Sequence, residues 1–176
     1  MTKAKLIVVT LAVALALPVL AGAQVTASGT LAVNATVQSS INLVFNSDGA
    51  GVGLTGSGTN AATMNLGNIS AYGTLAAGVS RTVAAANFRV SSPFDVVVSQ
   101  ANGSSANYTL TAQLNAADAT NGWDISGSAV TNAAATTLTN TGAYGSSVAY
   151  TLGLTVPLAS PGGAIANQVN FVATAN

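Results

Sequence analysis

Between Val25 and Phe45 the chain alternates apolar and polar side chains without a change of phase. Side chains of a strand point alternately to its two faces, so the pattern predicts an extended strand with one apolar face. At about 3.3 Å per residue it would be roughly 70 Å long, several times a usual strand. A domain of this size cannot cover all of it. We therefore expect the segment to bend near Ser39 and Ser40, or to find its cover on another molecule.

Shorter segments of strand periodicity follow, separated by residues that form turns. The expected strands lie at 62–69, 79–83, 88–90, 94–99, 107–114, 123–130, 136–140, 148–158 and 168–175. We expect Pro93 to separate two of them, and a turn at Asn102 and Gly103 to join 94–99 and 107–114 as a hairpin. Eight or nine short strands without a helical pattern predict an all-β fold, an antiparallel β-sandwich.

Residues 1–23 have the three parts of a secretory signal peptide. Lys3 and Lys5 precede an apolar run from Leu6 to Leu20, and small residues end the segment at Ala23. Cleavage is expected before Gln24, and the protein is expected to be secreted and to reach the cell surface. A retained anchor is the alternative, but the apolar run is short for a membrane span. We expect no stable membrane span after cleavage.

The part of the chain after the signal peptide carries very little charge. It contains two Arg and four Asp and no Lys, Glu, His or Cys; the charged residues are Arg81, Arg89, Asp48, Asp95, Asp118 and Asp124. An ordinary domain has about a quarter of its residues charged. The surface must therefore be built from Ser, Thr, Asn, Gln and Gly. Such a surface can pack against copies of itself because few charges must be desolvated.

This composition argues against most chemistry. Without His or Cys the mature chain has no imidazole base, thiolate or usual transition-metal site, so an enzyme is not expected and no catalytic, cofactor-binding or metal-binding residue is assigned. Two Arg supply no basic surface for nucleic acid. One alternative left open is a calcium ion shared by Asp48 and by Asp118 with Asn115.

Trp123 is the only tryptophan of the chain. We expect it to anchor the core, since a sugar-binding platform usually combines several aromatic side chains. A sugar-stacking role with the neighbouring Asp124 and Asn121 is the alternative.

The segment from Val25 to Val33 and the last strand, Asn167 to Ala175, resemble fimbrial major subunits of chaperone–usher systems, in particular the cysteine-free CFA/I-type pilins. The resemblance implies an immunoglobulin-like sandwich at 39–176 and an N-terminal extension at 24–38 that acts as a donor strand for a neighbouring copy. Gly29 resembles the small residue that such strands place where the groove is shallow. The interface positions, all of one phase, would be Val25, Ala27, Gly29, Leu31, Val33, Ala35 and Val37.

The sequence thus predicts a structural subunit of a surface filament or pilus that polymerises with copies of itself by strand addition, with a chaperone or assembly protein as a further partner. Secreted filament proteins of the TasA/camelysin group share the same pattern. A small outer-membrane β-barrel and a carbohydrate-binding surface adhesin are the alternatives. The barrel is disfavoured because the chain has few aromatic residues for interfacial girdles and few charges for a polar interior.

Overall fold

The structure is a computed structural model that describes residues 27–176. The predicted signal peptide at 1–23 and the interface position Val25 lie outside the described residues. The chain divides into two units, Met1–Ala35 and Thr36–Asn176, and every strand belongs to the second unit. The described part of the chain is all-β: it contains no α-helix, and accordingly no helix long and apolar enough to cross a membrane.

In the described part of the chain, nine strands form two antiparallel sheets. The first sheet contains β1 (Ser40–Ser47), β2 (Ser80–Val83), β3 (Asn87–Ala101), β5 (Gly122–Ile125), β6 (Ser128–Ala129) and β8 (Ser147–Pro157). Its order is β1-β3-β8-β5-β6, and β2 pairs with β3 on the edge of β3 that β1 also uses. The second sheet contains β4 (Tyr108–Leu114), β7 (Thr136–Gly142) and β9 (Val169–Ala175) in the order β7-β4-β9.

The two sheets face each other across a common core, which gives a sandwich-like arrangement. Every second side chain is buried from Phe88 to Val98 on β3 and along all of β4. Val96, Val98, Tyr108 and Leu110 belong to one apolar cluster. A second cluster lies under the other half of the first sheet, where Phe88 and Leu154 are covered by the long segment between β1 and β2. The second sheet therefore covers only part of the first, and a loop covers the rest.

Several predicted strands are confirmed with small shifts of their ends, among them those at 79–83, 107–114, 136–140, 148–158 and 168–175. The predicted strand at 123–130 is instead a hairpin of β5 and β6. Its turn places Ser126 and Gly127 at φ angles of 51° and 83°. No strand forms at 62–69, where Thr63 makes only an isolated bridge to Thr55.

The expected break at Pro93 is wrong, because β3 runs through it without interruption. Proline lacks the N–H that a strand ladder needs, so it is tolerated only where no partner requires that N–H. On the shared edge of β3, β2 pairs only as far as Ser91, and β1 begins at Phe94. Pro93 lies in the gap between the two partners.

The expected hairpin between 94–99 and 107–114 is also wrong. Both edges of β3 are occupied by β1, β2 and β8, while β4 pairs with β7 and β9. The turn at Asn102, which has a φ of 56°, therefore carries the chain from one sheet to the other. The sequence located the turn correctly, but it did not indicate which strands pair.

Candidate assembly site

The predicted donor segment is exposed and forms no strand. Residues 27–39 have neither a helix nor a ladder partner, and every side chain in this range is exposed. The large apolar residues of the predicted inward phase, Leu31, Val33 and Val37, are 88%, 80% and 74% exposed. The smaller positions of the same phase, Ala27, Gly29 and Ala35, are exposed as well. The regular β structure of the long alternating segment begins only at Ser40.

The outer edge of β1 is partly free. Phe45 exchanges backbone hydrogen bonds with the loop that follows β1, donating to Thr59 O at 2.8 Å and accepting from Gly58 N at 2.7 Å. These bonds lie on the side away from β3. Alternate residues of a strand direct their N–H and C=O groups to the same side, so those of Ile41 and Leu43 face the outer edge too. Within the described residues no hydrogen bond occupies these groups.

Among the described residues, nothing pairs with the outer edge of β9 along its whole length. Asn115 N donates to Gln168 O at 2.8 Å and Asn176 N donates to Asn107 O at 3.1 Å, so the even-numbered positions bond toward β4. The alternate residues Val169, Phe171, Ala173 and Ala175 therefore direct their N–H and C=O groups away from β4. Residues 27–176 supply no partner for these groups.

The two free edges flank a shallow groove. Phe45 of β1 and Phe171 of β9 pack edge to face across it, with ring centroids 5.2 Å apart. Phe94 supports both rings from β3 at 6.3 and 5.9 Å. Beside the aromatic group lies an opening of about 320 Å³ lined by uncharged residues only: Ile41, Asn42, Leu43, Phe45, Asn60, Asn170 and Phe171. An uncharged, partly apolar groove between two unpaired strand edges can accept an extended, uncharged chain.

The opposite side of the sandwich is closed by the chain itself. The segment between β6 and β7 passes from one sheet to the other there. Leu114 N donates to Thr131 O at 3.0 Å, and Thr136 Oγ1 donates to Ala129 O at 2.8 Å. Ile125 and Val130 are buried beneath this crossing. Within the described residues, the sandwich therefore has one side closed by a crossing of the chain and one open side, that of β1 and β9, without such a crossing.

An ion pair lies on the outer face of the first sheet. Arg89 binds Asp124 through two hydrogen bonds, Nε to Oδ2 at 2.8 Å and Nη2 to Oδ1 at 2.6 Å. The hydrogen bond from Arg89 is the main cause that lowers the pKa of the Asp124 carboxyl, and Gly127 N assists. The pair passes directly over Gly153 of β8, where a side chain would overlap it. Its geometry is that of a structural clamp across three strands.

Asp118 organises the loop before β5. Its carboxylate accepts hydrogen bonds from Trp123 Nε1 at 2.8 Å, from Asn121 Nδ2 at 3.0 and 3.2 Å, and from backbone N–H groups of Thr120 and Asn121. Burial opposes ionisation, but these hydrogen bonds outweigh it and lower the pKa of Asp118 to about 2. Donors of the protein's own loop thus surround the carboxylate, and Asn115 is not among them.

Trp123 has a mixed position. It is only partly buried and packs against both apolar clusters, as expected of a core anchor. Its indole N–H is directed to Asp118, and the nearby Asp124 is held by Arg89. Within residues 27–176 no three His, Cys, Asp or Glu side chains lie close enough together to hold a metal ion.

Comparison with protein-family models, with curated proteins and with solved structures found no match for this chain. The argument about function therefore rests on the site itself. Sequence periodicity identified which side chains of β9 and of the end of β1 share the inward face. It did not show that these two strands would be neighbours at a free side, because edge positions depend on which strands pair.

Proposed function

We propose that this chain is a secreted structural subunit that polymerises when the N-terminal segment of one copy adds as a strand to the sandwich of the next. The observation that carries the proposal is the combination of an exposed, alternating segment at 27–37 with a groove between unpaired strand edges. Strand addition satisfies the free backbone groups by main-chain hydrogen bonds, while alternate side chains set the register. A contact of this head-to-tail kind does not close on itself and builds a fibre.

Two further features support the proposal. The donor segment exposes three large apolar side chains, and burying each would contribute roughly 1.5–3 kcal/mol. Neither the segment from Val25 to Val37 nor the residues that line the groove carry a charge. Association therefore requires no ion to be desolvated. By resemblance to the fimbrial subunits, the sandwich would be immunoglobulin-like, and a chaperone would hold the subunit before assembly.

The test is a pair of matched substitutions in the donor segment. Leu31→Asp would bury a carboxylate in a groove that offers it no charged partner, which is costly, whereas Asn34→Asp would leave the same charge in water. We expect Leu31→Asp to abolish polymer while the secreted subunit stays detectable, and Asn34→Asp to be nearly silent. Size-exclusion chromatography and electron microscopy of secreted material would measure both.

Three results would contradict the proposal or its assignment of the inward face. A polymer that withstands Leu31→Asp would show that the segment is not the donor. If Leu31→Asp instead lowers the melting temperature of an isolated monomer, the segment folds back into its own domain. Equal losses from Leu31→Asp and Asn34→Asp would mean that the inward face was assigned incorrectly.

A further inference from the structure

We propose that β9, and not β1, is the strand that receives the donor segment of a second copy. This inference rests on the proposed function and specifies its acceptor. The two edges that flank the groove differ in how much of their backbone is available. On β9, the backbone N–H and C=O groups of four alternate residues, from Val169 to Ala175, face outward without a partner among residues 27–176. On β1, only those of Ile41 and Leu43 do so.

The rest of the β1 edge is capped by the loop from Thr55 to Thr63. Besides its two backbone bonds to Phe45, this loop accepts a hydrogen bond from Ser47 N at Ser57 Oγ, at 3.0 Å. Leu54 N donates to Ser47 Oγ at 2.8 Å. The loop therefore occupies the place that an incoming strand would need beside Phe45 and Ser47.

The cap is a structure of its own. Its base is closed by the reciprocal hydrogen bonds of Thr55 and Thr63, at 3.0 and 2.8 Å. Its turns use Gly56 and Gly58, whose φ angles of 83° and 84° suit glycine. Thr59 Oγ1 stabilises the loop from within by donating a hydrogen bond to Gly56 O at 2.7 Å. A loop held in this way protects an edge from pairing, as natural sheets often do. Of the two edges that flank the groove, it leaves β9 unprotected.

The occupant is the segment 27–37 of a second copy. β9 has seven residues, and the exposed alternating segment at 27–37 is longer. The segment can therefore pair along the whole of β9. Its inward residues would lie over the aromatic group of Phe45, Phe94 and Phe171. Since the groove is uncharged, an uncharged strand from another copy fits it better than a charged peptide does.

Proline substitutions can separate the two edges. Proline on an edge strand removes one outward N–H and leaves the inner ladder intact. We expect Ala175→Pro to reduce polymer yield about three- to tenfold at limiting protein concentration, because it removes one intermolecular hydrogen bond. Ile41→Pro, which removes a donor from β1, should reduce it less than twofold. Val169→Pro, at the first residue of β9, provides a second acceptor variant, and melting curves would show that each variant is folded.

A mixing experiment distinguishes this inference from the proposed function. A full chain with Leu31→Asp keeps its acceptor, and a full chain with Val169→Pro and Ala175→Pro keeps its donor. Together they should give a discrete dimer by size exclusion, since neither can extend further. If Leu31→Asp blocks assembly but Ile41→Pro does so more strongly than Ala175→Pro, the proposed function stands and β1 is the acceptor. If Gly56→Val, which disturbs the cap, raises polymer yield, the loop is instead a gate on β1.

Discussion

The two sides of the sandwich offer a comparison within one molecule. On the closed side the chain crosses from β6 to β7, backbone bonds link the crossing to β4, and Ile125 and Val130 are buried below it. On the open side β1 and β9 end the two sheets without a chain crossing between them, and an aromatic contact spans the groove. The two sides differ in whether a segment of the chain crosses from one sheet to the other.

That difference determines what each side can do. A residue on the closed side contributes to the stability of the folded chain, because its neighbours belong to the same chain. On the open side, free N–H and C=O groups are a template for another strand. Substitutions on the closed side should therefore act on unfolding, and substitutions at the open edge should act on assembly.

The largest effect is expected from Ile125→Ala on the closed side. Ile125 is 1% exposed, so its truncation removes buried contacts and leaves a cavity. Such changes cost about 2–5 kcal/mol. Urea unfolding should show this loss, while the fraction that remains folded should polymerise normally. Ile165→Ala, at a residue 36% exposed in the loop before β9, is the control and should change stability by less than about 0.5 kcal/mol. If Ile125→Ala is fully folded and yet does not polymerise, the closed side also takes part in assembly, and the contrast between the two sides is wrong.

The closed and open sides also show what the sequence could predict. Alternation identified the buried face of β8, where Tyr150 and Leu154 are indeed buried. The same alternation occurs at Leu31 and Val33, which are exposed. Periodicity reports which side chains share a face, but burial needs neighbouring strands, and pairing is not encoded in the period of one segment. The all-β class could therefore be predicted, whereas the free side could not.

The incorrect hairpin at Asn102 has the same physical origin. The turn residues are local and were recognised, but the choice between a hairpin and a crossing to the other sheet depends on competition for the edges of β3. The unbroken strand at Pro93 depends likewise on where β1 and β2 end. Each error concerns long-range pairing. The loop that caps β1 was recognised only as glycine-rich, since its hydrogen bonds to Phe45 have no sequence signature.

A smaller effect is expected from Gly153→Ala, which tests the clamp between Arg89 and Asp124. The added methyl group would overlap both charged groups, so the ion pair must move or separate. Crowding of this kind costs about 1–3 kcal/mol. Gly53→Ala is a matched control because open space surrounds that position. Thermal unfolding would measure both, and a double variant with Asp124→Asn should show less than the sum of the two losses. Additive losses would mean that Gly153→Ala does not act through the ion pair of Arg89 and Asp124.

The smallest effect concerns pH, because the charged groups lie away from the groove. The pKa of Asp118 in the folded protein is about 2, below its ordinary 3.8, so the folded state holds this proton less readily than the unfolded chain does. Its contribution is therefore complete above about pH 4 and is lost as the pH falls toward 2. Asp118→Asn should lower the unfolding free energy at pH 7 by about 1 kcal/mol, since the amide nitrogen cannot accept the hydrogen bonds of Trp123 and Asn121. It should also flatten the loss of stability in acid, as measured by melting curves from pH 7 to pH 2. Asp48→Asn, in the loop after β1, is the control for the removal of one carboxylate elsewhere in the chain. An unchanged acid slope in Asp118→Asn would show that the loop before β5 does not depend on the carboxylate.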